Sequence, residues 1–299
     1  EILKSCKITH AHFYSGTFTQ TVRMLKLHEV KISYTCPAHD RKVSIEEFGR
    51  LGLEYPYKHI SDDKLFELFI AGVKEADLVI APSRLAASFL SSIGCANVKV
   101  IPHGCDFPER VAYLPKEFSV GYLGQVGPDK GVSYLIQAWA SLNYTDCSLT
   151  LAGRGTETLQ NYISRNVNGG KYNLMGYVRN PSEVYNNCSV YVQPSVCESF
   201  GLEILEALAH ARSVIACAGA GASEIIQDNE THSPGLNKPS VGFVVKLRDV
   251  RGLAEKIDWC KKNQHLLAAM GQQGRQVAEG YIWAKIRKRY IESWKSLLS

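Results

Sequence analysis

Two parallel β-sheets, each wrapped by helices, follow from three observations on the amino-acid sequence. Its 299 residues are too many for one compact core and enough for two domains. Short β-branched runs alternate with helical patterns from end to end, the mark of an open parallel sheet covered by helices. A connection containing proline and glycine, "PHGCDFPERVAYLPKE" from Pro102 to Glu117, divides the alternation into two series. The expected domains are residues 1–110 and 111–280, with residues 281–299 as a C-terminal helix packing back toward the first domain.

In the first series, strands are expected at Lys7–Ala11, Lys31–Thr35, Asp77–Ala81 and Val98–Pro102, with helices over 15–28, 62–75 and 83–93. The second series starts at "FSVGYLG" and places strands at Phe118–Leu123, Ser148–Ala152, Tyr172–Met175, Ser189–Gln193, Ser213–Ala216 and Gly242–Val245. Six strands with intervening helices make a complete Rossmann-like unit. "DNETHSPGLNKPS" reads as a surface excursion between the last two of them. The first series has only four strands, so at about 30 residues per βαβ unit roughly 60–90 residues are expected to be missing in front of Glu1.

Composition narrows the classes. Hydrophobic residues make up 45% and charged residues 21%, the balance of a soluble globular protein. No apolar run approaches the length of a transmembrane helix, and "EILKSCKITH" has no apolar core after its lysines, so it is no signal peptide. Nine scattered cysteines without a CxxC pair fit reduced, buried thiols of a cytoplasmic protein better than a disulfide frame or a zinc site. The three glycosylation patterns beginning at Asn143, Asn187 and Asn229 are then coincidental. Most of the net charge of +5 sits in the last 29 residues, which hold six basic and two acidic side chains. "WAKIRKRYIESW" is thus a basic helix with Trp283, Tyr290 and Trp294, either lying on an anionic membrane surface or docking its aromatic face on the protein. The rest of the chain is near neutral, and nucleic acid is not an expected partner.

The chemistry concentrates in "CESFGLEILEALAHA", Cys197–Ala211. It follows a strand, and in open α/β sheets ligands bind at that end of the strands. Ser199 is expected to cap a helix beginning near Phe200, whose free amides and dipole suit a phosphate, with Gly201 allowing close approach. Glu198 and Glu206 would stand about two turns apart on one side, as acceptors for the hydroxyls of a ribose or sugar. The alternative is that both are solvated or salt-bridged, Glu203 showing that this helix simply carries acids. "GYLGQVGPDKG", with Gly124, Gln125 and Lys130, and "LAGRGTE", with Arg154, are two further glycine-rich loops after strands. Each alone is a weak signal. His39 follows a strand end and is a candidate for an interdomain cleft or a plain structural histidine. His10 and His12 share a strand face without a third ligand, which favours a structural role over a metal.

Together these stretches resemble the retaining glycosyltransferases of family 4, whose architecture is two facing Rossmann-like domains, GT-B. "ESFGLEILEALAHA" is similar to the family's E-x7-E motif, "PHGCD" to the turn entering the second domain, and "MGYVRNPSEVYNNCSVYVQPS" to the stretch before E-x7-E. "AGASEII", "VGFVVKLRD", the "HAHF" at His10 and Trp283 also match. The resemblance implies transfer of a hexose from a nucleoside-diphosphate sugar, UDP or GDP favoured, to a glycan or lipid acceptor. It implies that Glu206 binds the ribose, that Glu198 binds the donor sugar, and that the amides of Phe200, Gly201 and Leu202 hold sugar and diphosphate. Lys130 would neutralise the leaving group, with Gly124, Gln125 and Arg154 along the same loops and His39 approaching the reacting carbon. No cofactor or metal is expected, because the leaving phosphate takes the acceptor proton. Two departures stand out. Gln125 occupies the place where the family usually has arginine, and the family's first strand and glycine-rich loop are not found. An inactive nucleotide-sugar-binding subunit is therefore the alternative.

Overall fold

The computed structural model describes residues 8–14, 16, 18–54, 62–156, 159–166, 171–229 and 241–299. The chain forms two compact units, Glu1–Gly104 with Trp283–Ser299, and Cys105–Ile282.

In the first unit β1 (His10–Tyr14), β2 (Lys31–Thr35), β3 (Leu78–Ala81) and β4 (Val98–Val100) form a parallel sheet in chain order. Helices α1 (Thr19–Leu27), α2 (Arg41–Arg50), α3 (Asp62–Lys74) and α4 (Arg84–Ser92) lie along the connections. Val22, Leu25, Val73 and Leu90 from these helices pack with Ile32, Tyr34 and Val79 of the strands. Strands of this kind are covered on both faces and so read as continuous apolar runs.

Three local expectations are corrected. The first strand begins at His10 and extends through Phe13, which stacks on Tyr34 at 5.2 Å; Lys7 lies outside the described residues. The helix expected from residue 15 starts only at Thr19, after Gly16 with φ 89°. Helix α2 is not among the helices expected from the sequence. It buries only Ser44 and Glu47, so no apolar stripe marks it, and its one sequence signal is Asp40, whose Oδ1 accepts the Lys42 N–H at 2.9 Å.

The second unit holds β5 (Ser119–Leu123), β6 (Ser148–Ala152), β7 (Tyr172–Gly176), β8 (Val190–Gln193), β9 (Ser213–Cys217) and β10 (Gly242–Val245). All pair in parallel, in the order β10-β9-β8-β5-β6-β7. The chain winds outward from β5 to β7, then returns to lay β8 beside β5. This reversal is the topological switch point of a Rossmann-like sheet, and the loops after β5 and β8 leave its C-terminal edge side by side. Around the sheet run α5 (Val132–Ser141), α6 (Leu159–Asn166), α7 (Ser182–Asn186), α8 (Leu202–Ala209), α9 (Ser223–Gln227), α10 (Val250–Lys262) and α11 (Gln264–Ala278). Leu135, Ile136 and Trp139 of α5 pack with Val120 and Tyr122. Ile204, Leu205 and Leu208 of α8 pack with Tyr185 and Tyr191. Most of the expected excursion before β10, residues 230–240, lies outside the described residues.

The C-terminal helix, α12 (Trp283–Leu298), belongs to the first unit. Its Trp294 ring lies 5.0 Å from His12 and 5.7 Å from His10, and Thr35 Oγ1 donates to the Tyr290 hydroxyl at 3.2 Å. His10 Nε2 and His12 Nδ1 both reach Ser33 Oγ, at 2.8 and 2.7 Å. Burial, then the neighbouring His10, pushes the pKa of His12 down to about 4. This face of the helix is the docked, aromatic one that the sequence offered as an alternative. The eight described cysteines are buried and none is in a disulfide. Among the described residues no helix is long and apolar enough to cross a membrane.

Candidate functional site

The two loops at the switch point are locked together by backbone. After β5 the chain makes a 3-10 turn at Pro128–Lys130 and enters α5 through Gly131, with φ 69°. A Cβ at Gly131 would run into the Pro194 carbonyl oxygen, so only glycine fits this crossing. The Asp129 carbonyl accepts the N–H groups of Val196 and Cys197 at 2.8 and 3.2 Å. Glu198 is pinned from the other side, donating its N–H to Gly219 at 2.9 Å and accepting from Gly221 at 3.0 Å. The result brings Lys130 Nζ onto Glu198 Oε2 as an ion pair. Their side chains are 27% and 19% exposed, so the pair is screened less than a surface one. Burial works against the Lys130 ammonium, but Glu198, with Asp129 and Glu203 adding, outweighs it and holds its pKa up.

The helix after Glu198 departs from expectation at its start. It begins at Leu202, with Gly201 (φ 88°) at the N-cap and no side-chain cap hydrogen bond, so Ser199 does not cap it. The left-handed turn at Gly201 and the Ala222 N–H donated to the Phe200 carbonyl at 2.6 Å set the entry angle instead. Phe200 is buried in the core under α8, and Leu202 is half-buried beside it. Glu206 Oε2 accepts the Tyr185 hydroxyl at 2.7 Å. Burial pushes the Glu206 carboxyl up, the Tyr185 bond opposes, and Asp106 adds to the rise.

Two residues to which the sequence reading gave no role in the site complete this layer. Arg212, 1% exposed, donates from Nε to the Tyr185 carbonyl at 2.5 Å and from its guanidinium to Ala112 at 2.8 Å. It fixes the tyrosine that orients Glu206. Its sequence context, a lone arginine before a strand, carries no signal of that role. Glu203 is the second. It is half-buried, and its carboxyl is pushed up to about 7 by burial first, with Glu198 and Glu206 adding and its own N–H and Lys130 opposing. It is no ordinary surface acid. Its spacing of three from Glu206 on one helix face was the available clue.

The other candidates divide. The loops that carry Gly124 and Arg154 meet through backbone: Gly124 N–H donates to the Ala152 carbonyl at 3.0 Å, and Val126 N–H to the Arg154 carbonyl at 2.9 Å. The Arg154 guanidinium lies over the Tyr177 ring at 5.4 Å. Gln125 is exposed, and its carbonyl accepts the Tyr122 hydroxyl at 3.0 Å. His39 is half-buried between β2 and α2 in the first unit. No group of three or more His, Cys, Asp or Glu side chains suited to a metal occurs among the described residues.

A parallel sheet that sets a lysine, a helix N-terminus and inward carboxylates at its switch point has the parts of a nucleotide-binding α/β unit. The sequence profile described as "Glycosyl transferases group 1" matches residues 108–277, over half of the chain, and the protein belongs to that family. It is similar to the capsular polysaccharide biosynthesis glycosyltransferase CapM of Staphylococcus aureus, 28% identical over 187 residues, 59% of this chain and 47% of the relative. The chain spans about half the length of the curated relatives it matches. In fold it is like sucrose-phosphate synthase from Thermosynechococcus elongatus, with TM-score 0.76 and 19% identity over 97% of this chain and 73% of that one. It is also like Anabaena HepE in complex with UDP and glucose, with TM-score 0.69 and 21% identity over 95% and 77%.

Proposed function

We infer that the protein is a retaining glycosyltransferase, moving a hexose from a nucleoside-diphosphate sugar to a glycan or lipid acceptor, with UDP favoured over GDP as the donor base. The observation that carries the reading is the Lys130–Glu198 pair at the switch point, with Glu206 held by Tyr185 on the helix behind it. A diphosphate arriving at the N-terminus of α8 competes with Glu198 for Lys130. As the ammonium turns to the phosphates, Glu198 is released to accept a hydroxyl of the donor sugar. Glu206, oriented by Tyr185, accepts the ribose hydroxyls. Gly124, Phe200, Gly201 and Leu202 lend backbone, and Arg154 and Gln125 border the loops. As the bond to the anomeric carbon breaks, charge develops on the leaving diphosphate, and a preplaced cation is worth a few kcal/mol there. The leaving phosphate oxygen takes the acceptor proton on the same face, which retains configuration. His39 is assigned to the donor sugar. The UDP bound in HepE supports the choice of base.

Two further assignments belong to this reading. The protein works in the cytoplasm, and α12 makes peripheral contact with the membrane where a lipid acceptor would lie. Exposed Trp283, Ile291 and Leu298 beside Arg287 and Lys288 support that contact. The competing reading is a binding subunit without turnover, favoured by Gln125 standing where an arginine is expected. Thermal unfolding with UDP, GDP and ADP and their hexose conjugates tests both. A ligand at a hundred times its Kd adds about 2.7 kcal/mol to the unit that binds it. The proposal requires a shift with one nucleotide that Glu206→Ala abolishes, followed by sugar transfer or donor hydrolysis. Binding without any turnover, even in Gln125→Arg, selects the subunit reading; no shift with any ligand refutes both.

A further inference from the structure

Away from the switch point, the second unit brings a thiol and an amine unusually close. Cys147, just before β6, lies with its Sγ 2.8 Å from Nζ of Lys261 near the end of α10. A sulfur contact of ordinary length in the same unit, Cys188 Sγ to the Tyr185 carbonyl, is 3.6 Å. The approach is enforced from two sides. Asp146 Oδ1 holds the ammonium at 2.5 Å and accepts the Cys147 thiol at 3.1 Å. The face of the Tyr144 ring lies 4.2 Å from the same nitrogen, and the Tyr144 hydroxyl is fixed to Asp258 at 2.6 Å. Cys147 is 2% exposed, but the Lys261 side chain is 19% and the Asp146 side chain 71% exposed, so the pair lies at the rim of the fold within reach of small solutes.

We propose that Cys147 and Lys261 form a reversible oxidative cross-link, a single oxygen bridging Sγ and Nζ. At 2.8 Å no solvent molecule fits between Sγ and Nζ, so an oxidised sulfur would form in direct contact with the amine. With hydrogen peroxide as oxidant the chemistry balances. One peroxide oxidises the thiol to a sulfenic acid: the S–O bond forms, the O–O bond breaks, and one water leaves. Asp146 is placed to take the thiol proton in that step. Lys261 first gives its ammonium proton to solvent, and the neutral Nζ then bonds to the sulfenyl oxygen. The two hydrogens and two electrons released pass to a second peroxide, which leaves as two waters. The product ties the start of β6 to the end of α10, residues 114 apart in sequence. Burial pushes the Cys147 thiol up, Lys261 opposes the rise and Asp146 adds to it.

The test treats the full chain with hydrogen peroxide, quenches, alkylates remaining thiols, digests and reads the peptides by mass spectrometry. The expected product joins the Cys147 and Lys261 peptides with the mass of one added oxygen and two lost hydrogens. It disappears after reduction with a phosphine. It is absent in Lys261→Arg, which keeps the charge on Asp146 at a partly exposed position, and in Cys147→Ser. Cys147 recovered fully alkylated, or only as its sulfenic, sulfinic or sulfonic acid, overturns the proposal. So does a direct S–N product without the oxygen, or the same bridged mass in Lys261→Arg.

Discussion

Replacing Glu203 by glutamine isolates the cost of ionising a carboxyl inside the candidate site. In the folded chain this group titrates at about 7, against an ordinary 4.5. The folded state therefore binds the proton more tightly than the unfolded one, and stability must fall as pH rises through that window. Below the unfolded value both states are protonated and nothing is lost. Above about 7 both are ionised and the loss is complete. At 1.36 kcal/mol per unit the full penalty is about 3 kcal/mol. Glutamine keeps the shape and carries no charge, so the variant escapes the penalty. Urea unfolding of both proteins between acid and mildly alkaline pH should give curves that converge at low pH and separate as pH rises. At about pH 8 the variant should be the more stable by about 3 kcal/mol, or about 1–2 M in the midpoint. Titrating groups that do not interact with Glu203, such as the paired Asp146, are common to both proteins and cancel in the difference. A difference that does not change with pH, or a wild type that gains on the variant as pH rises, would refute the argument.

The remaining predictions probe neighbouring parts. Tyr185→Phe removes the hydroxyl on Glu206 and should weaken nucleotide binding by about 1–2 kcal/mol, read by calorimetry, with little change in fold. Arg212→Met leaves the Tyr185 and Ala112 carbonyls unpaired inside the unit and should cost about 2–4 kcal/mol in denaturant unfolding. Gly131→Ala must displace the Pro194 carbonyl, and nucleotide-dependent thermal stabilisation should vanish, whereas alanine at open, right-handed Gly49 should leave it intact. Trp294→Ala opens the histidine pair to water, so the NMR-measured pKa of His12 should climb from about 4 toward its usual 6.5.

Much of this was legible in the residues themselves. Every strand of the second unit lies within a residue or so of its expected place, because fully covered parallel strands are short apolar runs bounded by glycine and polar turns. The E-x7-E spacing picks out Glu198 and Glu206, but the helix begins only at Leu202, so Glu206 lies on it and Glu198 in the loop before it, and the two do not share a helical face. What stayed hidden depends on packing between segments distant in sequence. The partner of Lys130 is set by the Asp129 carbonyl meeting Val196, and Arg212 is defined by a tyrosine and a carbonyl from elsewhere. The burial of Glu203 leaves no trace in the sequence, because solvent exposure is not a property of a residue type. Helix α2 escaped because polar residues fill the positions where an apolar stripe would announce a helix.

The placement of α12 has a consequence for synthesis. Thr35 and its partner Tyr290 are 255 residues apart, and the whole second unit is made between them. At roughly 5–20 residues per second, the histidine face of the first sheet waits on the order of 10–50 s after it emerges before its covering helix exists. For that interval His10, His12 and Ser33 are open to water or to a chaperone. The first unit can thus reach its final packing only after α12 has left the ribosome, even though all four of its described strands are made before the second unit.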